Sequence, residues 1–358
     1  MPSLSKNLNE NIQILDKRFK NASDFTKLAL KIDNIDAVLL SLEGQIDRQY
    51  VSVSALRPMS NIEIGSLRGG DLVNFVSENV LRVIDQIKIN TIEDLITKLM
   101  LGFAVILMDS CDTAISFGGQ GFKTRSVENP DNENMLRGSK EGFVEAVQIN
   151  VSLIRRRMRN TDLKFERMTI GKESMTPIMI SYIENRVSKK ILNKLKSELK
   201  NINLKTVMAA GYLTGYLNKG GVFGTVGTTE RPDTACAKME EGRVAIIVDG
   251  TPTVLIVPYL FTENFQNMDD YATKPIYASY IRYIKYLCFF ISAFVPALYV
   301  GIITGRPELI PDEILVKIAI AESGTPLNIF WEIILANLLY EIMREAGLRA
   351  PKVFGQSV

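Results

Sequence analysis

Residues Gly102–Asp109 read GFAVILMD, and residues Gly242–Asp249 read GRVAIIVD. Each is an apolar run of strand length opened by Gly and closed by Asp, the pattern of a strand covered on both faces. The two lie about 140 residues apart, and the same offset recovers further matches upstream. Asn11–Asn21 (NIQILDKRFKN) aligns with Asn150–Asn160 (NVSLIRRRMRN), keeping both asparagines, the apolar positions and most of the basic ones. Ala37–Leu42 (AVLLSL) aligns with Pro177–Tyr182 (PIMISY), and a helix-like stretch follows each run. Each half therefore reads helix, strand, helix, strand, an alternation that builds helices packed on a sheet. The fold class expected is α/β, with two tandem related α/β subdomains at 1–130 and 137–280. Ser126–Arg137, rich in Asn, Asp and Glu and containing Pro130, is the natural linker between them.

Beyond the duplication the chain changes character. Tyr286–Thr304 (YLCFFISAFVPALYVGIIT) carries no charge, and at a rise of about 1.5 Å per residue it nearly crosses a bilayer core of about 30 Å. It predicts a transmembrane helix, kinked at Pro296 and packed among other helices, because a neighbour must satisfy the carbonyl that proline leaves free. Arg282 and Lys285 precede this span, whereas Arg306 is followed by Glu308, Asp312 and Glu313. That bias places the N-terminal region in the cytoplasm. The remainder, 305–358, reads as a membrane-associated helical segment. Within it, Asn328–Ala346 carries Asn337, Glu341 and Glu345 on one face and Ile334, Leu335, Leu338, Leu339 and Ile342 on the other. With Glu332 it is too polar for a lipid-facing span. It either lies in the interface or turns its acids toward an aqueous path between proteins, which makes Pro296, Glu332, Glu341 and Glu345 candidates for an ion path.

Composition narrows the chemistry. The 358 residues include 42 Lys and Arg against 40 Asp and Glu, a net charge of +2 that gives no argument for nucleic acid as a partner. There is no histidine, which removes the commonest general base and metal ligand and leaves an enzyme reading without a mechanism. Cys111, Cys236 and Cys288 are odd in number and lack CxxC spacing, so free thiols are expected rather than disulfides or a zinc site. The polar stretch Met1–Arg18 has no apolar core of a secretory signal. No cofactor is expected. The basic cluster Arg155–Arg159 is read as a solvated helix face or a subunit contact, since Lys17–Lys20 occupies the same place in the first repeat. Gly118–Gly121 and Gly220–Gly221 lack the phosphate-loop pattern, and flexible turns suffice for them.

Several longer blocks resemble one family. Arg137-Gly138-Ser139-Lys140-Glu141-Gly142-Phe143-Val144-Glu145, continuing through Arg155-Arg156-Arg157, looks like the RGPxEGFxE...NxxLIRRR block of the A subunits of GerA-type spore germinant receptors. Thr229-Glu230-Arg231-Pro232-Asp233 is similar to that family's TERPD motif. Glu241–Pro252, which contains Arg243 and Asp249, resembles its EGRVAIIVDGTP stretch, and Arg344–Arg349 its REAGLR. The resemblance implies a spore inner-membrane receptor subunit that works with a multispanning B subunit, which senses the nutrient, and a lipoprotein C subunit. It implies a homo-oligomeric ring, a pentamer, forming a nutrient-gated ion channel; a non-conducting scaffold or a SpoVAF-like paralogue is the alternative. The motif residues, from Arg137 and Gly138 through Glu141, Arg155, Arg156, Arg157, Glu230, Arg231, Pro232, Asp233, Arg243 and Asp249, are assigned structural or interface roles. Two departures stand out. Family members continue past the position of Val358, so the chain is expected to be truncated, and Ser139 replaces the usual proline, a change expected to loosen a helix start.

Overall fold

A computed structural model describes residues 3–60, 62–65, 67–81, 83, 85–121, 139–218, 224–266, 270, 273–324 and 327–349. The chain forms two compact units, Met1–Ala272 and Thr273–Val358. The first contains two five-stranded antiparallel sheets of the same design. In the first sheet the order is β1 (Phe25–Ile32), β2 (Ile35–Leu42), β4 (Phe103–Met108), β5 (Ala114–Gly118) and β3 (Gln86–Ile89). In the second it is β6 (Leu163–Ile170), β7 (Thr176–Ile183), β9 (Val244–Val248), β10 (Val254–Val257) and β8 (Gly227–Thr229). Gly102–Asp109 and Gly242–Asp249 supply the central strands β4 and β9, and the aligned runs Ala37–Leu42 and Pro177–Tyr182 lie in β2 and β7.

Alternation along these strands serves two cores at once. On β4, Ala104, Ile106 and Met108 enter one apolar cluster and Val105 and Leu107 the other. One face is covered by α1 (Leu8–Arg18) and α5 (Ile92–Met100). The other is covered by a helical layer of α2 (Arg48–Val51), α3 (Arg57–Ser60) and α4 (Gly69–Phe75), broken by π-helical turns at Ser52–Leu56 and Val76–Val80. The second sheet is sandwiched in the same way. α6 (Val147–Arg157) and α9 (Pro232–Glu240) cover one face, and α7 (Lys189–Lys200) and α8 (Gly211–Leu217) the other. Burial on both faces is why β9 is apolar at all five positions.

The repeat also explains its own polar residues. Asp109 accepts the Leu8 backbone N–H at 3.2 Å, and Asp249 accepts that of Val147 at 3.0 Å. The Asp closing each central strand thus satisfies an orphan N–H at the start of α1 or α6. The aligned Asn11 and Asn150 each bracket the segment before their helix, Asn11 through the backbone N–H and carbonyl of Ser5 and Asn150 through those of Val144. The expected alternation of two strands per half falls short of the observed five. β1 and β6 are edge strands whose charged residues hide their periodicity, and β3 and β8 are short. Flexible turns are also the wrong account of Gly119 and Gly121. A Cβ would come within 2.9 Å of Val51 at Gly119 and 2.6 Å of Asp47 at Gly121, so close packing requires glycine there. Gly220 and Gly221, and the whole of the linker Ser126–Arg137, lie outside the described residues.

In the second unit, α10 (Pro275–Gly305) is 31 residues long, with mean hydropathy 2.2 over its most apolar window. Among the described residues it is the one helix long and apolar enough to cross a membrane. It begins ahead of Tyr286, so Arg282 and Lys285 lie within the helix, and it continues through Pro296, whose ring nitrogen cannot donate to the Ser292 carbonyl. α11 (Asp312–Ser323) and α12 (Ile329–Arg349) follow.

Candidate functional site

The motif residues build ionic fastenings rather than a catalytic centre. Among the described residues the largest fully buried side chain is Arg155, 1% exposed, on α6 of the second repeat. Its Nε donates to Asp24 Oδ2 at 2.8 Å and its Nη2 to Asp24 Oδ1 at 3.0 Å, a two-pronged pair with a residue just before β1 of the first repeat. Nη1 reaches the Asn160 carbonyl at 3.0 Å and Nη2 the Leu163 carbonyl at 3.2 Å, while the guanidinium lies 4.9 Å from the centre of the Phe165 ring. Arginine suits this place because its planar fork can satisfy a carboxylate and two carbonyls together and still stack on an aromatic ring. A solvated helix face, or a contact with another subunit, is therefore the wrong reading of Arg155. The α6 turn faces the first repeat of its own chain. Nearby, Lys164 Nζ donates to the Arg18 carbonyl at 2.9 Å, Gln45 Nε2 to the Ser152 carbonyl at 3.0 Å and the Ser23 N–H to the Phe165 carbonyl at 2.8 Å.

A second fastening holds the chain that enters the second repeat. Glu141 takes ion pairs from Arg156 and Arg157. Arg157 Nη2 also donates to Ser139 Oγ at 2.8 Å, and Arg231 Nη2 to the Ser139 carbonyl at 2.7 Å. Arg231, 2% exposed, pairs with Asp233 at 2.6 Å, Pro232 fills the first turn of α9, and the Phe143 N–H donates to the Glu230 carbonyl at 2.7 Å. Glu141, Arg156, Arg157, Glu230, Arg231, Pro232 and Asp233 thus converge on one short segment. Partial burial works to raise the Glu141 pKa, but hydrogen bonds and charge from Arg156 and Arg157 outweigh it and hold the carboxyl below its ordinary 4.5. Ser139 lies in this non-helical segment, with α6 opening only at Val147, so it loosens no helix start. Arg137 and Gly138 lie outside the described residues.

The third fastening involves Arg243, in the turn between α9 and β9. Its Nη2 pairs with Glu263 at 2.7 Å, and Lys238 on α9 reaches the other oxygen of Glu263 at 3.0 Å. Asp249 lies apart from all three, at the start of α6. Glu332, Glu341 and Glu345 sit on α12, where Glu341 pairs with Arg344. Sequence reading missed Asp24, Lys164, Lys238 and Glu263. One signal was available for Lys238, because the repeat offset aligns it with Lys98, which lies 4.9 Å from the centre of the Phe103 ring.

These arrangements hold elements in register and offer little chemistry. Burial pushes the Cys111 thiol up to about 11 and the Cys236 thiol up to about 12, which keeps both out of the reactive thiolate form near neutrality. Among the described residues no group of His, Cys, Asp or Glu is arranged to hold a metal ion.

Comparison with known proteins gives these fastenings a context. Residues 13–358 match a family model described as Bacillus/Clostridium GerA spore germination protein. Spore germination protein KA of Bacillus subtilis (strain 168) is 34% identical over an alignment covering 100% of this chain and 65% of that protein. The uncharacterized membrane protein YfkQ of the same organism is 29% identical, covering 99% of this chain and 69% of that one. The chain therefore spans just under two thirds of the length of protein KA. The crystal structure of the N-terminal domain of the A subunit of the Bacillus megaterium spore germinant receptor GerK3 superposes with a TM-score of 0.56 at 26% identity. That likeness covers 72% of this chain and 97% of the solved one.

Proposed function

The chain belongs to the GerA family of spore germination proteins, and on that premise we propose that it acts as the A subunit of a nutrient germinant receptor in the spore inner membrane. Its N-terminal region, organised as subdomains 1–130 and 137–280, faces the cytoplasm, and α10 anchors it in the bilayer. It works with a multispanning B subunit that senses the nutrient and a lipoprotein C subunit. The A subunits form a homo-oligomer, a pentamer, whose membrane helices carry monovalent cations once the nutrient is bound. The observation that carries this reading is continuity: one family match runs through both the double-sheet unit and the apolar helix α10. The Arg155–Asp24 junction supports it, because a chain that relays a signal mechanically needs its two repeats to move as one body.

The test uses spores. Deletion of the gene should abolish germination toward at least one nutrient while leaving germination by other routes intact, and liposomes carrying the receptor should pass K⁺ only when the A subunits are assembled. Spores indifferent to the deletion would overturn the reading. A second reading is a non-conducting scaffold or a SpoVAF-like paralogue that organises the receptor complex. It predicts that substitutions at Pro296, Glu332 and Glu341 leave ion flux unchanged.

A further inference from the structure

The segment that leaves the second sheet is held in an unusual way. After β10 the chain forms a 3₁₀ turn, Phe261–Phe265, and then runs through 266–274 to the first residue of α10. Within that turn the buried residue is not apolar but a carboxylate, Glu263, 4% exposed. Leu260, just ahead of it, is 51% exposed. The turn is thus fixed to the sheet unit by charge. Glu263 takes Arg243 on one oxygen at 2.7 Å and Lys238 on the other at 3.0 Å, and Lys238 also donates to Gln266 Oε1 at 3.0 Å and lies 3.4 Å from Glu241. Two of these groups belong to the stretch that closes α9 and opens the central strand β9, so the turn is fastened to the rigid centre of the second repeat.

The first repeat shows what the same position does without this task. Lys98 and Phe103, aligned with Lys238 and Arg243, form a cation–π contact at the equivalent turn. In the second repeat arginine replaces the aromatic residue and, with the lysine, receives a carboxylate from the outgoing chain. A buried ion cluster is a costly fastening, since both charges must be stripped of water, and an apolar plug would hold the turn at least as firmly. What charge provides instead is a fixed register and a link that resists being pulled apart, because breaking it would leave an uncompensated buried charge.

We propose that Lys238, Glu263 and Arg243 form a coupling clasp, through which movement of the second repeat is passed to the segment leading into α10. The clasp rests on the receptor reading above and names the residues that would carry its signal out of the double-sheet unit. Substitution Glu263→Gln keeps the shape and removes the charge. In the full-length protein in detergent, it should speed amide exchange of residues 260–266 by about tenfold or more while β9 and β10 stay protected. In spores holding normal amounts of the variant, nutrient-triggered germination should slow by about tenfold. Exchanging the charges of the pair, with Arg243→Glu and Glu263→Arg together in a Lys238→Met background so that no like charge faces position 263, should restore both readouts to the level of Lys238→Met alone. Lys238→Met, which leaves the Arg243 pair in place, serves the same test with a smaller effect if Glu263→Gln does not accumulate. Unchanged exchange in Glu263→Gln, or faster exchange with wild-type germination, would overturn the clasp. A gene deletion run in parallel separates the two ideas: if it leaves germination untouched the receptor reading falls, and the exchange measurement still decides whether the turn is held by this cluster.

Discussion

Arg155 shows how far a single side chain can depart from what its neighbours in sequence suggest. It stands in a run of arginines at the end of a helix, yet it is sealed from water with its charge matched by Asp24 and two further N–H groups by carbonyls. Truncation to alanine leaves the Asp24 carboxylate buried without a counter-charge and should destabilise the fold by about 3–5 kcal/mol. Urea unfolding of the detergent-solubilised chain measures this, and the pair Arg155→Met with Asp24→Leu should recover much of the loss, since apolar replacement of both partners removes the desolvation cost. Glu141 makes a prediction about pH. Its folded pKa is below 4.5, so the ionised carboxylate contributes stability that is present above the unfolded value and is lost as pH falls through the folded one. The stability advantage of wild type over Glu141→Gln should therefore be full near neutrality and shrink on acidification below about pH 4.5. An advantage unaffected by acid would rule out this role for the carboxylate.

At the scale of elements, the central strands and the apolar helix are written by opposite rules. β4 and β9 are apolar throughout because helices cover both faces of each sheet, and their terminal Asp residues are retained because each completes the start of a helix. α10 is apolar because of the medium it is proposed to occupy. Its uncharged stretch Tyr286–Thr304 is about as long as a bilayer core is thick, and its polar beginning, with Arg282 and Lys285 among Tyr277, Tyr280 and Tyr283, is the composition favoured where a helix meets the headgroups. Placing a charge at its middle, as in Leu298→Arg, should cost about 2.5–3.5 kcal/mol of insertion free energy. Measured as the fraction of protein resistant to carbonate extraction from membranes, Leu298→Arg should shift chain out of the bilayer, whereas the same change at exposed Met208 on the sheet unit should not.

For the molecule as a whole, the contacts between repeats decide how residues 1–272 behave. The Arg155–Asp24 pair, the Lys164 and Gln45 hydrogen bonds and the Ser23–Phe165 backbone bond all cross from one repeat to the other. Gly44 sits in the same contact with φ at +80°, and a Cβ there would meet the Gln148 carbonyl and the Ser152 side chain at 3.0 Å. The two sheets should consequently unfold in a single thermal transition, while Gly44→Val, which combines strain with a clash at the contact, should separate it into two. Calorimetry distinguishes the outcomes, and two transitions in the unaltered protein would show that the repeats do not act as one body.

The sequence by itself determined the duplication, the central strands, the helices that precede them, the apolar helix and the family, because each of these is written as periodicity or as a long contiguous motif. Edge strands β1 and β6 escaped it, since half of an edge strand faces water and its charges mask the alternation. The pairing of charges was decided only by the tertiary structure. Arg155 and Asp24 are separated by 131 positions, and nothing local distinguishes a buried arginine from the solvated ones beside it. Burial is a property of what packs against a residue, and a run of basic residues reads the same in sequence whether its charges meet water or a carboxylate carried in from the other repeat.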